Sequence, residues 1–527
     1  MIRVRQIKVL IERDNEKEWM NKISQKLKIL EREIKSYQII KKSIDARKKN
    51  SIFFVYEFDV EVCHEEKVLK RVGSCDVFPV SVSKYSFSVT GTEKLKNRIV
   101  IVGSGPAGLF CAYFLAEAGF CPIILERGEK MEDRILTVEK FFKSNQLNVH
   151  SNIQFGEGGA GTFSDGKLNT LVKDKAFRGR RIFEIFVENG APEEILYLNN
   201  PHIGTDILRK VIVNIRNKII SWGGEFHYLT TLTDIIVSDY KLREIEINYK
   251  KRIPCEVLVL ALGHSARDTF SMLNKKGLSM KSKNFAVGVR IVHPQEMISK
   301  NQYGDKYKLL PPANYKLTYQ TSNGRGVYSF CMCPGGYVVN ASSEEGRVAV
   351  NGMSNYKRDS GSANSAIVVT VTKDDFGEGV FAGVEFQKRL EEKAYFLGKG
   401  SIPVQLYKDF VLKKKSKSFG EFLPDVKGYY HFSDLNELFP DSILDSLKEA
   451  IPYFGTKIKG FDRGDAVLFG VESRTSSPII IERDDMGIST ISGIYPCGEG
   501  AGYAGGITTA AIDGLKTAEN IAKKYRF

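Results

Sequence analysis

One segment near residue 100 constrains the fold of this chain more than any other feature. The apolar run Ile99-Val-Ile-Val102 leads into the turn Gly103-Ser-Gly-Pro-Ala-Gly108, and the pattern then continues as a helix and a second strand. This arrangement is the fingerprint that opens a dinucleotide-binding βαβ unit. Gly103 permits the tight turn, Gly105 lets a pyrophosphate approach the backbone, and Gly108 lets the helix pack on the strand.

Residues next to this turn complete a predicted nucleotide site. Glu126 ends the second strand, where its carboxylate can accept hydrogen bonds from both hydroxyls of an adenosine ribose and disfavours a 2'-phosphate. Free N–H groups at the helix start face the anion. The binding residues predicted here are Gly103, Gly105, Pro106, Ala107, Gly108, Glu126 and Arg127. The fingerprint alone does not separate NAD from FAD.

The C-terminal segment separates the two dinucleotides. Ile494 to Gly514 reads as a strand, a glycine-rich turn and a helix that begins near Ile507. It resembles the segment that, in flavoproteins of the glutathione-reductase-like fold, passes under the ribityl chain and points a helix start at the flavin pyrimidine. Glu499 stands where those proteins more often have an aspartate. We therefore predict FAD, with further contacts from Gly498, Glu499, Gly505, Gly506 and Ile507.

A third glycine-rich stretch, Gln154 to Lys167, is too dense in glycine for a helix or a strand. One interpretation is a loop along the pyrophosphate or the isoalloxazine, where side chains would collide with the cofactor; the other is a surface loop without a ligand. The first interpretation predicts contacts from Gly158, Gly159, Gly161 and Thr162, together with Gly263 at the end of another buried strand.

A second dinucleotide fingerprint is missing from the sequence. Gly398-Lys-Gly400 is followed by Ser-Ile-Pro, without a strand, turn and helix around it. The pattern therefore predicts one FAD domain interrupted by a substrate domain, rather than a disulfide reductase with its own NAD(P)H domain. Transient binding of NAD(P)H is compatible with this arrangement. A redox pair of the CxxC or CxxxxC type is also missing.

The distributions of glycine and of charged residues along the chain indicate where its domains begin and end. Residues 1–98 contain two glycines, and they carry 22 Lys and Arg against 14 Asp and Glu, which is 8 of the 14 net positive charges. Alternation over 54–62 predicts a strand, apolar spacing over 16–35 predicts a helix, and 83–97 is interpreted as a connection. The predicted class is α/β: a small basic α+β domain (1–96), a Rossmann-like FAD domain (97–282 and 480–527) and a mixed α+β substrate domain (283–479) inserted into it.

Composition excludes several classes of protein. Apolar residues make up 42% and charged residues 27%, which is ordinary globular usage, and no apolar run suits a membrane span or a secretory signal. The eight cysteines are scattered, and the seven histidines form no group with metal-ligand spacing. These features predict a cytoplasmic protein without a disulfide framework or a metal.

The chain resembles a bacterial family of uncharacterised FAD-dependent dehydrogenases that carry a short N-terminal α/β domain. The resemblance covers nearly the whole chain and implies FAD and a two-domain flavoenzyme body, but no substrate. It rests on SIDARKK at 43–49, IVGSGPAGLF at 101–110, QFGEGGAGTFSDGKL at 154–168, ALGHSARDTF at 261–270, FCMCPGG at 330–336, SRTSSP at 473–478 and YPCGEGAGYAGGITTAAIDG at 495–514.

The candidate reacting groups lie in two of these motifs. Arg474 and Thr475 precede the return to the FAD domain, and Arg474 either holds a substrate carboxylate or phosphate or forms an interdomain ion pair with Glu472 or another acid. Cys333, with Cys331, is either a thiol site over the flavin or, as we favour, part of a tight turn. Arg267, Arg290 and the lone His264 are interpreted as structural.

The leading hypothesis is an FAD-dependent oxidoreductase that transfers a hydride equivalent between flavin N5 and an organic substrate. A second hypothesis is a flavoprotein that acts on, or is regulated by, nucleic acid through the basic run Lys41 to Lys49. A third is that the flavin serves as a structural or sensing ligand.

Overall fold

A computed structural model describes residues 1–81, 84–170 and 172–527. The N-terminal unit is a four-stranded antiparallel sheet in the order β2-β3-β1-β4, covered by two helices. Ser83, the first residue of the predicted connection 83–97, lies outside the described residues. The elements are β1 (Ile2–Leu10), α1 (Glu16–Leu27), β2 (Ile34–Asp45), β3 (Phe53–Val62), α2 (Glu65–Val72) and β4 (Val77–Pro79).

The helix predicted over 16–35 is too long. Helix α1 ends at Leu27 because Lys28 adopts the left-handed conformation, with a φ of 55°. The apolar residues that extended the periodicity have other positions: Leu30 is exposed and Ile34 begins β2.

The nucleotide-binding unit follows the short strand β5 (Glu93–Lys94). Three of its strands, Leu232–Ser238, Lys241–Ile247 and Lys251–Pro254, form a separate antiparallel sheet. The elements of the nucleotide-binding unit, up to its connection with the middle unit, are β6 (Val100–Val102), α3 (Pro106–Glu117), β7 (Ile123–Leu125), α4 (Met131–Ser144), α5 (Arg178–Glu188), α6 (Thr205–Ser221), β8 (Glu225–His227), β9 (Leu232–Ser238), β10 (Lys241–Ile247), β11 (Lys251–Pro254), β12 (Leu258–Leu260) and α7 (Arg267–Lys275).

A two-stranded ribbon, β13 with β24, carries the chain into and out of the middle unit. That unit is built on a seven-stranded sheet in the order β15-β16-β19-β14-β23-β20-β22, with a second sheet β18-β17-β21. Its elements are β13 (Met280–Ser282), β14 (Phe285–Pro294), α8 (Gln295–Tyr303), β15 (Thr318–Gln320), β16 (Gly326–Cys333), β17 (Tyr337–Asn340), β18 (Val350–Met353), β19 (Ser362–Val371), α9 (Lys373–Phe376), α10 (Ala382–Leu397), β20 (Ile402–Leu406), α11 (Tyr407–Val411), β21 (Val426–Lys427), β22 (Tyr430–Phe432), α12 (Asp441–Lys457), β23 (Val467–Glu472) and β24 (Ile479–Ile481).

The last elements return to the nucleotide-binding unit: β25 (Ile494–Pro496), α13 (Ile507–Lys524) and β26 (Tyr525–Arg526). Strand β25 completes a parallel sheet in the order β25-β12-β6-β7-β8. Helix α13 packs closely on α3, since a Cβ on Gly514 would overlap the backbone of Ala107. The five parallel strands therefore end at one edge, where α3 and α13 begin. Among the described residues, no helix is long and apolar enough to cross a membrane.

Candidate functional site

A cavity of about 560 Å³ lies at the carboxyl ends of the parallel strands. Ligands of open α/β sheets bind at this edge. The turn after β6, the end of β7, the residues after β12 and the turn after β25 all line the cavity, as does the 154–169 loop. The opposite wall comes from the middle unit. It includes Phe330, Cys331, Cys333, Asn351, Gly352, Glu472, Arg474, Thr475 and Ser476.

Most of the predicted cofactor-binding residues meet in this cavity. Those that line it are Gly103, Gly105, Pro106, Ala107, Glu126, Arg127, Gly159, Gly161, Gly263, Glu499, Gly505, Gly506 and Ile507. Two helix starts open into it, because α3 follows Gly105 and α13 follows Gly506, and neither helix has a side-chain cap. A Cβ added at Gly263, Gly505 or Gly506 would meet no described atom within 4 Å, so these glycines border open space.

Four predicted residues are not in the wall. Gly108 packs α3 on the turn, since a Cβ there would overlap the Gly103 carbonyl, as the fingerprint requires. Gly158 faces the Thr162 methyl group, and Thr162 donates to the Gly159 carbonyl at 2.8 Å. Gly498 donates its N–H to Asp513. These four residues do not line the cavity but pack against the segments that do.

Glu126 differs from the expected free acceptor. Its Oε2 accepts hydrogen bonds from Ser104 N at 3.0 Å and Ser104 Oγ at 2.6 Å, and its Oε1 accepts from the N–H groups of Gly128 and Gly156 at 2.9 and 3.0 Å. A carboxylate has about four acceptor positions, so protein donors already occupy them. The side chain therefore joins the fingerprint turn to the 154–167 loop, a role that sequence reasoning missed.

Arg134 is the internal support of the 154–167 loop. This fully buried arginine of α4 donates to the carbonyls of Asn152, Ile153, Gly156, Glu157 and Gly159 and to Thr162 Oγ1, at distances of 2.6 to 3.2 Å. Burial lowers the pKa of Arg134 to about 9, and Glu126 opposes this effect. Hydrogen bonds from the buried Arg134 side chain thus hold the backbone of the glycine-rich loop in place. Arg134 lies in no recognisable motif, so no sequence signal indicated it.

Arg127 lines the cavity directly after Glu126. Its guanidinium lies over the Phe155 ring at 4.7 Å and donates to Asp268 and Thr269 Oγ1, each at 2.9 Å. Leu232 and Thr231 also line the cavity.

Arg474 forms an ion pair within the middle unit, not the interdomain pair that was the alternative to a substrate contact; its link to the nucleotide-binding unit is a hydrogen bond to Ser265. Its Nε and Nη2 donate to both oxygens of Glu391 at 3.0 Å, and its Nη1 donates to Ser265 and Ser343. Arg267 binds the same carboxylate through two bonds of 2.9 Å. These four hydrogen bonds use N–H groups that a substrate clamp would need, and they favour the ion-pair interpretation of Arg474. The partner is Glu391 and not Glu472.

Thr475 and Cys333 also have structural contacts. The Thr475 hydroxyl donates to the Ala286 carbonyl at 2.8 Å. Cys333 is buried, its Sγ lies 3.3 Å from the Cys331 carbonyl, and burial raises the pKa of the thiol to about 12. Neither group has the geometry of an activated nucleophile. Cys331 and Cys333 lie in the last three residues of β16, and the turn at Pro334 and Gly335 follows directly.

Two further pairs include residues that line the cavity, one in the middle unit and one in the nucleotide-binding unit. Arg290 is completely buried and donates to Glu472 at 2.9 Å, while burial raises the pKa of Glu472. Arg290 and Arg267 each form a buried ion pair, which agrees with their structural interpretation. His264 Nδ1 lies 3.3 Å from Glu499 Oε1, and both side chains line the cavity.

Family comparisons agree with this layout. A family described as FAD-dependent protein, C-terminal domain-like, matches residues 284–475, an NAD(P)-binding Rossmann-like domain matches 101–131, and a domain of unknown function matches 1–61. A Clostridium beijerinckii protein described as uncharacterised is 48% identical over 511 residues, covering 96% of this chain and 95% of that protein. Thiamine thiazole synthase of Aeropyrum pernix is 26% identical over 230 residues, covering 41% of this chain and 72% of that protein.

Among solved structures, glycine oxidase from Bacillus cereus is 12% identical, covers 81% of this chain and 95% of its own, and has a TM-score of 0.36. The fold, the cavity and the family matches define an FAD-dependent flavoprotein of the oxidoreductase class. The chain belongs to the same family as the Clostridium beijerinckii protein. FAD is the cofactor of this family, as the sequence predicts.

Proposed function

We propose that this protein transfers a hydride equivalent between flavin N5 and an organic substrate that enters between the nucleotide-binding and middle units. One observation carries the proposal: the dinucleotide fingerprint, the α13 start and the seven-stranded sheet of the middle unit share one cavity. Enclosing a cofactor between two units is a common way to place substrate against its reactive atom.

The residues in the wall fit FAD. The start of α3, at Gly105 and Pro106, offers N–H groups and a positive dipole end to the pyrophosphate. The start of α13, at Gly506 and Ile507, offers the same to the flavin end. Glycines along both walls leave room for the cofactor backbone and rings. When bound, FAD supplies the two-electron chemistry.

The protein groups at the middle-unit end position the substrate. Phe330 and Cys331 provide part of the wall, and Asn351 and Ser476 add polar groups there. The buried pairs behind them, Arg290 with Glu472 and Arg474 with Glu391, hold the backbone of this wall in place.

Gly263 offers a test of the cofactor site. A Cβ there would meet no described atom within 4 Å, and its φ lies outside the left-handed region, so Gly263→Val should fold and project into the cavity. We expect this variant to lose the flavin absorbance band while its far-ultraviolet circular dichroism is unchanged. Gly361→Val, outside the cavity wall, is the matched control and should keep the flavin. Wild-type protein that takes up no FAD when it is supplied would contradict the proposal.

The redox step is tested by anaerobic stopped-flow with NADH, NADPH and a panel of organic acids, alcohols and amines, following the loss of oxidised flavin. Bleaching by one of them, with a stoichiometric two-electron product, is the expected result. A holoprotein that no reductant bleaches would favour the structural or sensing role of the flavin.

The structure gives the nucleic-acid hypothesis no support. Two cations of the basic run are already paired, Lys42 with Asp14 at 2.9 Å and Arg47 with Asp45 at 2.7 Å. The backbone of Lys42 also bonds to Tyr197 and Asn199 of the nucleotide-binding unit, so part of this run faces the protein.

A further inference from the structure

The described wall of the cavity contains four side chains that can carry a positive charge: Arg127, Lys167, His264 and Arg474. Three of them have an acidic partner within 3.3 Å. Arg127 pairs with Asp268, Arg474 pairs with Glu391, and the His264 ring contacts Glu499. Lys167 is different, because the nearest carboxylate oxygen of the described residues, Asp165 Oδ2, lies 4.0 Å from its Nζ.

Asp165 does not neutralise Lys167. Its two oxygens are bound by Arg358, with Nε 3.0 Å from Oδ1 and Nη2 in contact with Oδ2, and the Ser354 hydroxyl donates to Oδ1 as well. Burial opposes ionisation of Asp165, but Arg358 and Lys167 outweigh it and lower its pKa. His202, the other titratable neighbour, has its pKa lowered to about 4 by burial and by Arg358. The Asp165 carboxylate thus faces two cations, Arg358 and Lys167. Because Arg358 makes the closer pair, one positive charge remains in excess at the Lys167 ammonium.

Lys167 lies at the end of the cavity where the two units meet. Among the charges around Cys331, Lys167 and then Arg290 are the strongest that lower the pKa of its thiol, and Glu472 and Glu499 act in the opposite direction. Its neighbour Asp165 is bound by Ser354 and Arg358, which both belong to the middle unit. The Lys167 side chain is 30% exposed, and Lys167 lines the cavity.

We propose that Lys167 is the anion-binding group of the substrate site, so that the substrate carries a carboxylate that pairs with its ammonium. This inference rests on the proposed function and adds the chemical class of the substrate. A lysine is a single point charge, and no arginine fork in the described wall is free beside it, which fits a monoanionic carboxylate better than a phosphate. Phe330 and Cys331 nearby suit the organic part of such a molecule.

The same charge could instead serve the cofactor, by stabilising its phosphates or the reduced ring. The two uses have different consequences. A cofactor role requires Lys167 to change FAD affinity or the flavin reduction potential, whereas a substrate role requires it to change the binding of small carboxylates to the FAD-loaded protein.

The experiment compares FAD-loaded wild type, Lys167→Met, Lys167→Arg and the control Lys175→Met, which changes an exposed lysine outside the cavity wall. Each is titrated at constant ionic strength with acetate, benzoate and succinate, and with acetamide and benzamide as uncharged counterparts. Perturbation of the visible flavin spectrum is the readout, so turnover is not needed. FAD affinity and the flavin midpoint potential are measured on the same samples.

We expect at least one carboxylate, and neither amide, to give a saturable spectral change in the wild type. Its apparent Kd should rise about 10- to 100-fold in Lys167→Met. Lys167→Arg and Lys175→Met should stay within about threefold of the wild type, and FAD affinity should be unchanged. The inference is overturned if no carboxylate perturbs the wild type, if Lys167→Met binds them equally well, or if its FAD affinity or midpoint potential shifts instead. If the wild type binds no FAD, the proposed function itself is contradicted. This outcome is therefore distinguishable from a failure of the Lys167 inference alone.

Discussion

The guanidinium of Arg474 and the carboxylate of Glu391 are joined by two hydrogen bonds of 3.0 Å, from Nε to Oε1 and from Nη2 to Oε2. Arg267 of α7 binds the same two oxygens from the nucleotide-binding unit, and the Ser473 hydroxyl adds a third partner at 2.7 Å. Glu391 belongs to α10 of the middle unit and has no exposed surface. One buried carboxylate thus ties together both units that enclose the cavity.

Replacing this carboxylate should be costly. Glu391→Gln removes the negative charge but keeps the shape, so Arg267 and Arg474 are left buried with Glu344 as the nearest remaining acid. Breaking a buried ion pair in this way costs about 3 to 5 kcal/mol, and we expect a lower thermal midpoint by differential scanning calorimetry. Glu392→Gln changes the neighbouring residue, whose side chain is 42% exposed, and should leave the midpoint nearly unchanged. Equal midpoints for the two variants would contradict the interpretation.

The same pair predicts an acid-dependent loss of stability. Burial opposes ionisation of Glu391, but Arg474 and Arg267 outweigh it and lower its pKa. A carboxyl with a lowered folded pKa stabilises fully above its unfolded value, roughly 4.3, and loses this contribution as pH falls toward the folded pKa. The difference in unfolding free energy between wild type and Glu391→Gln should therefore be constant above about pH 5 and shrink by about 1.4 kcal/mol per pH unit below about pH 4. Urea unfolding at a series of pH values measures it, and a pH-independent difference would exclude the assignment.

The sequence predicts the parts of this site that depend on backbone shape. Local sequence patterns predict the turns at 103–108 and 498–507 and the loop at 154–167. Where the backbone must approach another group closely, the glycine that permits it is visible at that position of the sequence. The structure brings all three to one cavity. The strand predicted over 54–62 is found as β3 for a similar reason, since alternation of apolar and polar residues is typical of a half-buried strand.

A side-chain partner that lies far away in the chain produces no local pattern in the sequence. Glu391 lies 83 residues before Arg474, within an ordinary helical pattern, so Arg474 reads equally well as a clamp or as an ion pair. Lys167 belongs to the glycine-rich motif at 154–168, yet its significance depends on the pairing of Arg358 with Asp165, residues that are 193 positions apart. The predictions for Arg474 and Thr475 did not include these partners, because a sequence does not show which donors are already used.

Arg134 should control the order of the 154–167 loop and, through it, FAD binding. Arg134→Met removes the donors to five carbonyls and to Thr162 Oγ1, and Arg134→Lys keeps the charge but not the planar fork. We expect both variants to lose FAD affinity by at least about 100-fold, since buried carbonyls left without donors cost about 1 to 3 kcal/mol each. Limited proteolysis should cut within the loop. Lys140→Met, at an exposed position on the same helix, is the control. Full FAD affinity in Arg134→Lys would show that charge alone suffices.

Glu126 should matter for FAD because it shapes the turn. In Glu126→Gln, one acceptor becomes an NH₂ donor that faces either Ser104 or the N–H groups of Gly128 and Gly156. In both orientations at least one N–H loses its acceptor, so we expect FAD affinity to fall about 10- to 100-fold. Quenching of FAD fluorescence on binding gives the Kd. Asp133→Asn, which removes an exposed carboxylate from the first turn of α4, should not change it. Unchanged affinity in Glu126→Gln would mean that the turn does not need this acceptor.

Cys333 should behave as an inert thiol. The thiolate is the reactive form of cysteine, and burial raises the pKa of Cys333 to about 12. Treatment of the native protein with iodoacetamide near pH 8, followed by peptide mass spectrometry, should label the exposed Cys75 first and leave Cys333 unmodified. In urea all eight cysteines should react, which controls for detection of each peptide. Labelling of Cys333 at the rate of Cys75 would contradict its burial and restore it as a candidate for thiol chemistry beside the flavin.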